Sequence, residues 1–597
     1  MNPPNTQPIL WRGYKNRNPL SIYLSFYNGY VWKLLLMVFA ILLQNSPVYV
    51  IPILTADVIN IVTGDGPHDP SSIWLRLFIG LFFIIQNVPS CAWKERLLSS
   101  VDREVEFRLR TSLCARLQHL SMHFLHEHQV GMLQSKVLRD VENIELLTKT
   151  LAYSLPSIAF NIIIALTITA MRAPQFLLLF LILIPMARFF YWLMHKRLDE
   201  RNQRFRVSME SMTGYVNEML RMLPVTRASN SEDLELEKAE RHLNAIRKAG
   251  FRLDVMNAVY GAVNWALIMC FNILTLCIAG YLKMTGVMNI EAGDIVLLTG
   301  YFNSLSATIL SLMSLVPQIS KGLESVKSIG DILECKDLEQ NEDKPAVGDI
   351  QGGFEFDHLF FRYEDADEDA LEDICLKVKP GETVALVGPS GAGKSTIMQL
   401  LVGFNRPTRG RILLDGVDMN NIDLRTYRRR VSMITQETVL FGGRVRDNIA
   451  YGVPDVKPDD VDEAIHVTGL DKALAVLPNG ADTVLQESDA RLSAGMRQRI
   501  AIARAYLRKP RVLLLNEPTS SLDEDAEEEV NQLLDKLIAG RTAFVVAHRL
   551  STIQNADHIV VIDHGRVMQV GRHEELMAKG GRYAEMWQKA LEKAKRP

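Results

Sequence analysis

Six long apolar runs within residues 1–320 constrain this chain more than any other feature of its sequence. They are Leu34–Leu54, Leu75–Ala92, Leu151–Met171, Phe176–Met194, Val255–Leu282 and Ile295–Ile319. Each is near the roughly 20 residues that carry a helix across about 30 Å of hydrocarbon. Buried core helices are the alternative, but six such runs in half a chain would leave little polar surface to face water. They are read as six transmembrane helices in contact with a lipid bilayer.

Charge sets their orientation. The linker after the second run carries Lys94, Arg96, Arg103, Arg108, Arg110 and Arg116, and the linker after the fourth carries Lys196, Arg197, Arg201, Arg204 and Arg206. Gly64–Ser72 has no Lys or Arg, and the other two short loops have only Arg172 and Lys283 near them. The positive-inside rule then predicts a multi-pass protein of the cell membrane with both termini in the cytosol. Residues 1–30 lack the short apolar core and small-residue cleavage site of a removable signal peptide, and Asn18–Tyr30 is expected to lie along the cytosolic face as an amphipathic segment.

The two basic linkers, about Trp93–Thr150 and His195–Asp254, keep apolar residues at helical spacing without a Gly/Pro-rich break. They are expected to continue the spans as long cytosolic helices that reverse around His126–Leu146 and Ser211–Arg227. Polar residues inside the runs (Gln44, Asn45, Gln86, Asn87, Asn161, Arg188, Asn257, Asn264, Asn272, Asn303) are costly in lipid, so they should face other helices or a central cavity. The six cysteines form no CxxC pair and no run with zinc-ligand spacing, so structural thiols are expected. A net charge of −3 and the absence of a basic arm argue against a nucleic-acid partner.

The remainder reads as a soluble α/β domain. The segment 334–353 reads as a polar linker between an expected membrane domain at 31–333 and an expected second domain at 354–597, which the motifs below make a nucleotide-binding domain. Thr383–Val387 reads as a buried strand that runs into Gly388-Pro389-Ser390-Gly391-Ala392-Gly393-Lys394-Ser395-Thr396 and then a helix, the context a phosphate-binding loop requires. Its glycines let backbone N–H groups close around phosphates, the helix N-terminus adds a favourable dipole, and Lys394 reaches the β- and γ-phosphates. Ser395 offers a hydroxyl to Mg²⁺. Val512–Leu515 reads as a second buried strand ending near Glu517, whose carboxylate, unlike an amide, can accept a proton.

This loop is followed by Leu492-Ser493-Ala494-Gly495-Met496-Arg497-Gln498, with Gln436 between them and Asn516-Glu517, Ser521-Leu522-Asp523 and His548 beyond. In that order the motifs resemble those of an ABC transporter, and with the preceding spans nearly the whole chain resembles an exporter-type half-transporter. The expected fold is a membrane α-helical domain of six helices with long cytosolic extensions, fused to an α/β P-loop ATPase domain. The resemblance implies ATP and Mg²⁺ as cofactors, Tyr363 stacking on adenine, Gln436 sensing Mg²⁺ and nucleotide, and His548 at the γ-phosphate. It places Asp523 among the nucleotide-binding residues, and Ser493 and Gly495 over the ATP of an opposite subunit. The turns of the long cytosolic helices would be short coupling helices.

The implied function is ATP-driven export of a small molecule, lipid or peptide by a dimer, a homodimer being favoured and a heterodimer possible. A weakly hydrolysing regulatory half and an importer of exporter-like fold are the alternatives. Three departures bear on turnover and coupling. Asn516 stands where the family usually has a magnesium-holding aspartate, Ala494 and Met496 replace a Gly and a Gln, and Gln486-Glu487-Ser488-Asp489 keeps only the glutamate of a Gly-Glu-Arg-Gly pattern.

Overall fold

The computed structural model describes residues 18–63, 70–128, 130–285, 291–339, 341, 343–364, 366–486, 489, 491–519, 522, 524–546 and 553–594. The chain forms two compact units. The first comprises 1–118 and 129–336; the second comprises 119–128 and 337–597.

Among the described residues, the first unit is built from helices. A short helix, α1 (Pro19–Phe26), starts at Asn18, whose side chain accepts from the Leu20 N–H at 3.2 Å, and it buries Ile22, Tyr23 and Phe26. This helix lies within the segment Asn18–Tyr30; residues 1–17 lie outside the described residues. Then come α2 (Val31–Thr63), α3 (Pro70–Leu117), the run Val130–Arg172, α8 (Leu177–Ala228), α9 (Glu232–Met284) and α10 (Ala292–Leu333). The run Val130–Arg172 is built from α5 (Val130–Ser135), α6 (Val141–Lys149) and α7 (Leu155–Arg172), joined by π-helical turns at Lys136–Asp140 and Thr150–Ser154. Among the described residues, four helices are long and apolar enough to cross a membrane: Val31–Thr63, Ser71–Leu117, Val130–Arg172 and Glu232–Met284. At 52 and 53 residues, α8 and α9 each span about 80 Å at 1.5 Å per residue, far more than about 30 Å of hydrocarbon.

Several amides inside the apolar helices bond to neighbouring helices, as their cost in lipid predicts. Asn45 donates to Ser157 at 2.9 Å, Gln86 donates to the Leu43 carbonyl at 3.3 Å, and Asn87 bonds the Gln44 carbonyl. Asn272 on α9 bonds Asn303 on α10. The side chains of Arg188 and Asn264 lie outside the described residues. Where α10 begins, Gly293 donates its N–H to Asn60 at 2.6 Å. A Cβ at Gly293 would sit 2.0 Å from the Ala56 carbonyl oxygen, so the backbones of α2 and α10 meet only because the residue is glycine. Asp57 binds Arg172 at 3.0 Å and Arg76 at 3.7 Å, tying α2 to α7 and α3.

Both helix reversals differ from the positions expected from sequence. The first falls within 118–128, because α3 stops at Leu117 and Ser121 caps a separate helix, α4 (Met122–Glu127), by accepting from the Phe124 N–H at 3.1 Å. Much of the expected stretch, from Val130 to Leu146, already belongs to the next helix. The second falls at Ser229–Ser231. Helix α8 continues through Pro224 to Ala228, Asn230 turns the chain with φ 49°, and Glu232, Asp233 and Glu235 favour the start of α9 at its positive dipole end. Among the described residues this second reversal has no separate short helix.

The second unit contains two main sheets. One is antiparallel, with strand order β2-β1-β4-β5, where β1 is Phe354–Phe361, β2 Leu371–Val378, β4 Arg409–Leu414 and β5 Val417–Asp418. The other has order β12-β11-β3-β10-β9-β6. Here β3 (Thr383–Val387), β6 (Val431–Ile434), β9 (Val512–Asn516), β10 (Thr542–Val546) and β11 (His558–Asp563) run parallel, and β12 (Arg566–Gly571) closes one edge antiparallel. The parallel strands are almost continuously apolar because both faces are covered. Helix α11 (Lys394–Val402) follows β3 and packs Ile397, Met398, Leu400 and Leu401 against one face. Helices α16 (Ala494–Arg508) and α17 (Glu524–Ile538) bury Ile502, Val530 and Leu534 with the other. A third apolar cluster unites Val445, Ile449, Ala464, Leu470 and Leu474 with Ile500 and Leu507 of α16, forming a helical subdomain.

Candidate functional site

Four parallel neighbours, β3, β10, β9 and β6, end on the same edge of the six-stranded sheet. In open α/β sheets, ligands bind beyond the carboxyl ends of the strands, where helix N-termini also converge. Of the candidate residues read from the sequence, the segment 388–396 follows β3, Gln436 follows β6 and Glu517 follows β9.

Beyond β3 the chain enters the loop 388–393. Gly388 is there because a Cβ would lie 2.1 Å from the Ile562 carbonyl oxygen of β11. Gly393, at φ 102°, caps α11 from the left-handed region, and a Cβ would meet Leu371 at 2.6 Å. Lys394 is buried, and its ammonium donates to the carbonyls of Gly388 and Pro389, both at 2.8 Å, so the loop folds around the lysine. Burial pushes the Lys394 ammonium below its usual range, and the carboxylate of Glu517 acts in the opposite sense. Pro389, Ser390, Gly391 and Ser395 are exposed, whereas Ala392 and Thr396 are buried. A helix start leaves its first N–H groups without intrahelical acceptors, so this exposed rim is a ready anion site.

Glu517 follows β9 directly. Its φ of 49° is unusual for a non-glycine residue, and its N–H donates to the Val546 carbonyl at the end of β10 at 3.1 Å. The turn thus holds the side chain at the sheet edge, within electrostatic reach of Lys394. Gln436 lies two residues past β6 and is exposed. Beside it, Thr438 donates to Gln498 of α16 at 2.8 Å, a link between this loop and the helix that begins at Ala494, which the sequence alone does not reveal. Tyr363 follows β1. Its hydroxyl lies 3.1 Å from Thr396 Oγ1, and its ring packs edge-on against Phe361. His548 and Asp523 lie outside the described residues.

Ser493 caps α16, accepting from the Met496 N–H at 3.2 Å, and stands with Gly495 at that helix N-terminus. Among the described residues, Ser493 forms no hydrogen bond with the phosphate loop of its own chain. The unusual residues of this motif have packing roles: Ala494 rests against the sheet core and Met496 against the helical subdomain. Asp489 accepts from the Gln486 N–H at 3.3 Å and from Arg491, which holds its carboxyl well below the usual carboxylate range. Glu487 and Ser488 lie outside the described residues.

The segment 119–128, which interrupts the first unit in sequence, is paired with the second. Ser121 donates its N–H to the Asp337 carbonyl at 3.0 Å, Glu339 donates to the His119 carbonyl at 3.1 Å, and His123 lies 2.9 Å from Glu364, next to Tyr363. The Ser-x-x-Phe cap was the sequence signal for this helix.

Residues 371–520 match the family described as "ABC transporter", and residues 34–309 match "ABC transporter transmembrane region". The Bacillus subtilis protein YgaD is 30% identical over 585 residues, 95% of this chain and 98% of that protein. The chain belongs to the ABC transporter family. An ATP-dependent lipid A-core flippase of Chromobacterium violaceum is 32% identical over 524 residues, 87% of this chain and 88% of the flippase. A fatty acid ABC transporter ATP-binding/permease protein of Mycobacterium bovis is 29% identical over 535 residues, covering 88% and 83%. The fold is shared with a bacterial Atm1-family ABC exporter solved with ATP bound, at a TM-score of 0.79 and 24% identity over 94% of this chain and 98% of that one. The transporter fuses a helical membrane region to an α/β P-loop-like ATPase domain in the manner of exporter-type half-transporters, and its activity is ATP hydrolysis coupled to export-type transport.

The strand-end site fits ATP. A side chain at Gly388 or Gly393 would collide with neighbouring atoms, and its lysine is buried at the base of an exposed rim.

Proposed function

We propose that two copies of this chain form a homodimer with six membrane helices each and with both termini and both nucleotide-binding domains in the cytosol, and that ATP-driven rearrangement exports an amphiphilic cargo. The convergence of Lys394, Glu517 and Gln436 on one sheet edge carries this reading. Tyr363 stacks on adenine; the backbone of 388–393, Lys394 and Thr396 bind the phosphates. Mg²⁺, when bound, supplies charge neutralisation at the β- and γ-phosphates, and Ser395 and Gln436 are the residues that hold it. Glu517 accepts the proton of the attacking water, while His548 contacts the γ-phosphate. Asp523 completes the nucleotide-binding set. Ser493 and Gly495, on an exposed helix N-terminus, cap the ATP of the opposite copy. ATP binding favours the closed dimer, and hydrolysis resets it.

The cargo class rests on the relatives, whose names include a lipid A-core flippase and a fatty acid transporter. The purified, reconstituted transporter should be tested for ATPase stimulation by a panel of phospholipids, fatty acids, cationic drugs and peptides. Stimulation by acyl-chain compounds supports the proposal, and stimulation by peptides alone overturns it.

A second reading is supported by Asn516, the last residue of β9, which takes a negative charge out of the expected magnesium environment. In that reading this chain is the weakly hydrolysing half of a heterodimer. Glu517 favours the first reading, because a chain that only binds ATP has no use for a proton acceptor.

A further inference from the structure

Away from the strand-end site, the antiparallel sheet contains a local irregularity with chemistry of its own. Strand β1 loses register with β2 twice, between Phe356 and Leu359 and between Leu359 and Phe361, and loses register with β4 between Asp357 and Phe360. His358 lies in this stretch at φ 46°, and Asp373 on β2 lies at φ 51°. Two non-glycine residues in the left-handed region within one strand pair are uncommon, and such strain persists only where the surroundings enforce it. Strand β4 supplies the enforcement. Gly410, itself at φ 75°, lets β4 press so close that a Cβ there would lie 2.0 Å from the His358 carbonyl oxygen.

The bulge brings three different donor groups together on an exposed face. His358 Nδ1 lies 2.7 Å from Asp373 Oδ1, and Cys375 Sγ lies 3.6 Å from His358 Nδ1 and 3.9 Å from Asp373 Oδ1. Tetrahedral zinc, with N and O ligands at about 2.0–2.2 Å and sulfur at about 2.3 Å, requires ligand atoms roughly 3.3–3.7 Å apart. The two sulfur distances are already close to that range. Only the His358–Asp373 pair must open, by roughly 0.6 Å, as the shared hydrogen bond gives way to a metal. Neighbouring carboxylates have other partners: Asp357 is bound by Arg411 at 2.8 Å and Glu372 by Arg566 at 2.6 Å.

We propose that His358, Asp373 and Cys375 form a site for a zinc-class divalent cation, with the fourth coordination position open to water. A thiolate, an imidazole and a carboxylate suit a borderline-soft ion and disfavour Mg²⁺ and Ca²⁺, which prefer all-oxygen shells. The ion would tie β1 to β2 at the neck of the loop that carries Tyr363.

The test uses nucleotide-free, full-length protein titrated with Co²⁺ as a spectroscopic stand-in, followed by competition with Zn²⁺. The parent should bind with a thiolate-to-cobalt charge-transfer band that zinc abolishes. Cys375→Ser should lose the band. His358→Asn and Asp373→Asn, chosen because asparagine tolerates the left-handed backbone, should each weaken binding about tenfold or more. All three variants should keep the parent's Mg²⁺-ATPase activity, which verifies folding. A parent without the band, an equal band in Cys375→Ser, or unchanged affinity in both asparagine variants overturns the proposal.

Discussion

In the first unit, several amides within the apolar helices find a partner on a neighbouring helix, as Asn272 does with Asn303 across α9 and α10. In the second unit, several side chains proposed to act on ATP follow strand ends, where backbone geometry fixes them, as the left-handed turn does for Glu517. The contrast follows from solvent. An amide in lipid is stabilised by finding any partner, so its role is spread among helices. A catalytic group must instead keep one atom free for substrate, so its position is fixed by glycines, turns and neighbouring strands. Single substitutions should therefore be severe at the sheet edge and mild among the membrane helices.

The largest effect is expected at the proton acceptor. Glu517→Gln should reduce steady-state ATP hydrolysis by about 10²–10⁴-fold, the usual contribution of a general base, while ATP binding survives. Phosphate release by the purified protein checks this, and unchanged turnover would remove Glu517 from the reaction.

Lys394→Ala deletes a charge-assisted phosphate contact and should weaken ATP binding by about 1.5–3 kcal/mol. Calorimetry with ATP provides the measurement. Equal affinity in variant and parent would mean that the buried lysine only holds its own loop carbonyls.

A smaller change is expected from Asn516→Asp, which adds a carboxylate near the metal and should shift half-maximal activation to lower Mg²⁺. Superimposable Mg²⁺ titrations of ATPase activity would show that residue 516 lies outside the metal's surroundings.

The mildest effect belongs to the membrane helices. A double-mutant cycle of Asn272→Leu and Asn303→Leu, followed by unfolding in a denaturing detergent, should give a coupling of about 0.6 kcal/mol. A value of several kcal/mol would erase the contrast between the two units.

The same contrast governs what the sequence revealed. The phosphate loop was legible because its glycines, lysine and flanking strand each have a local physical cause, and the structure places them accordingly at Gly388, Gly393 and Lys394. Four of the six apolar runs lie in helices that, among the described residues, are long and apolar enough to cross a membrane, since hydrophobicity is summed over many residues. The reversals were misplaced because one relied on a single serine cap, Ser121, and the other on a Ser-Asn-Ser turn after a tolerated Pro224. Tertiary pairings such as Thr438 with Gln498, or the bulge at His358, leave no periodic trace, because they depend on residues distant in sequence.

Homodimeric ATP hydrolysis is the central claim, and the most direct measurement is the Mg²⁺-dependent ATPase activity of this chain expressed and purified alone, recorded against its native mass. The account predicts a hydrolytically active species with the mass of two chains. A stable monomer, or a dimer that hydrolyses ATP only after a different subunit is added, would contradict it.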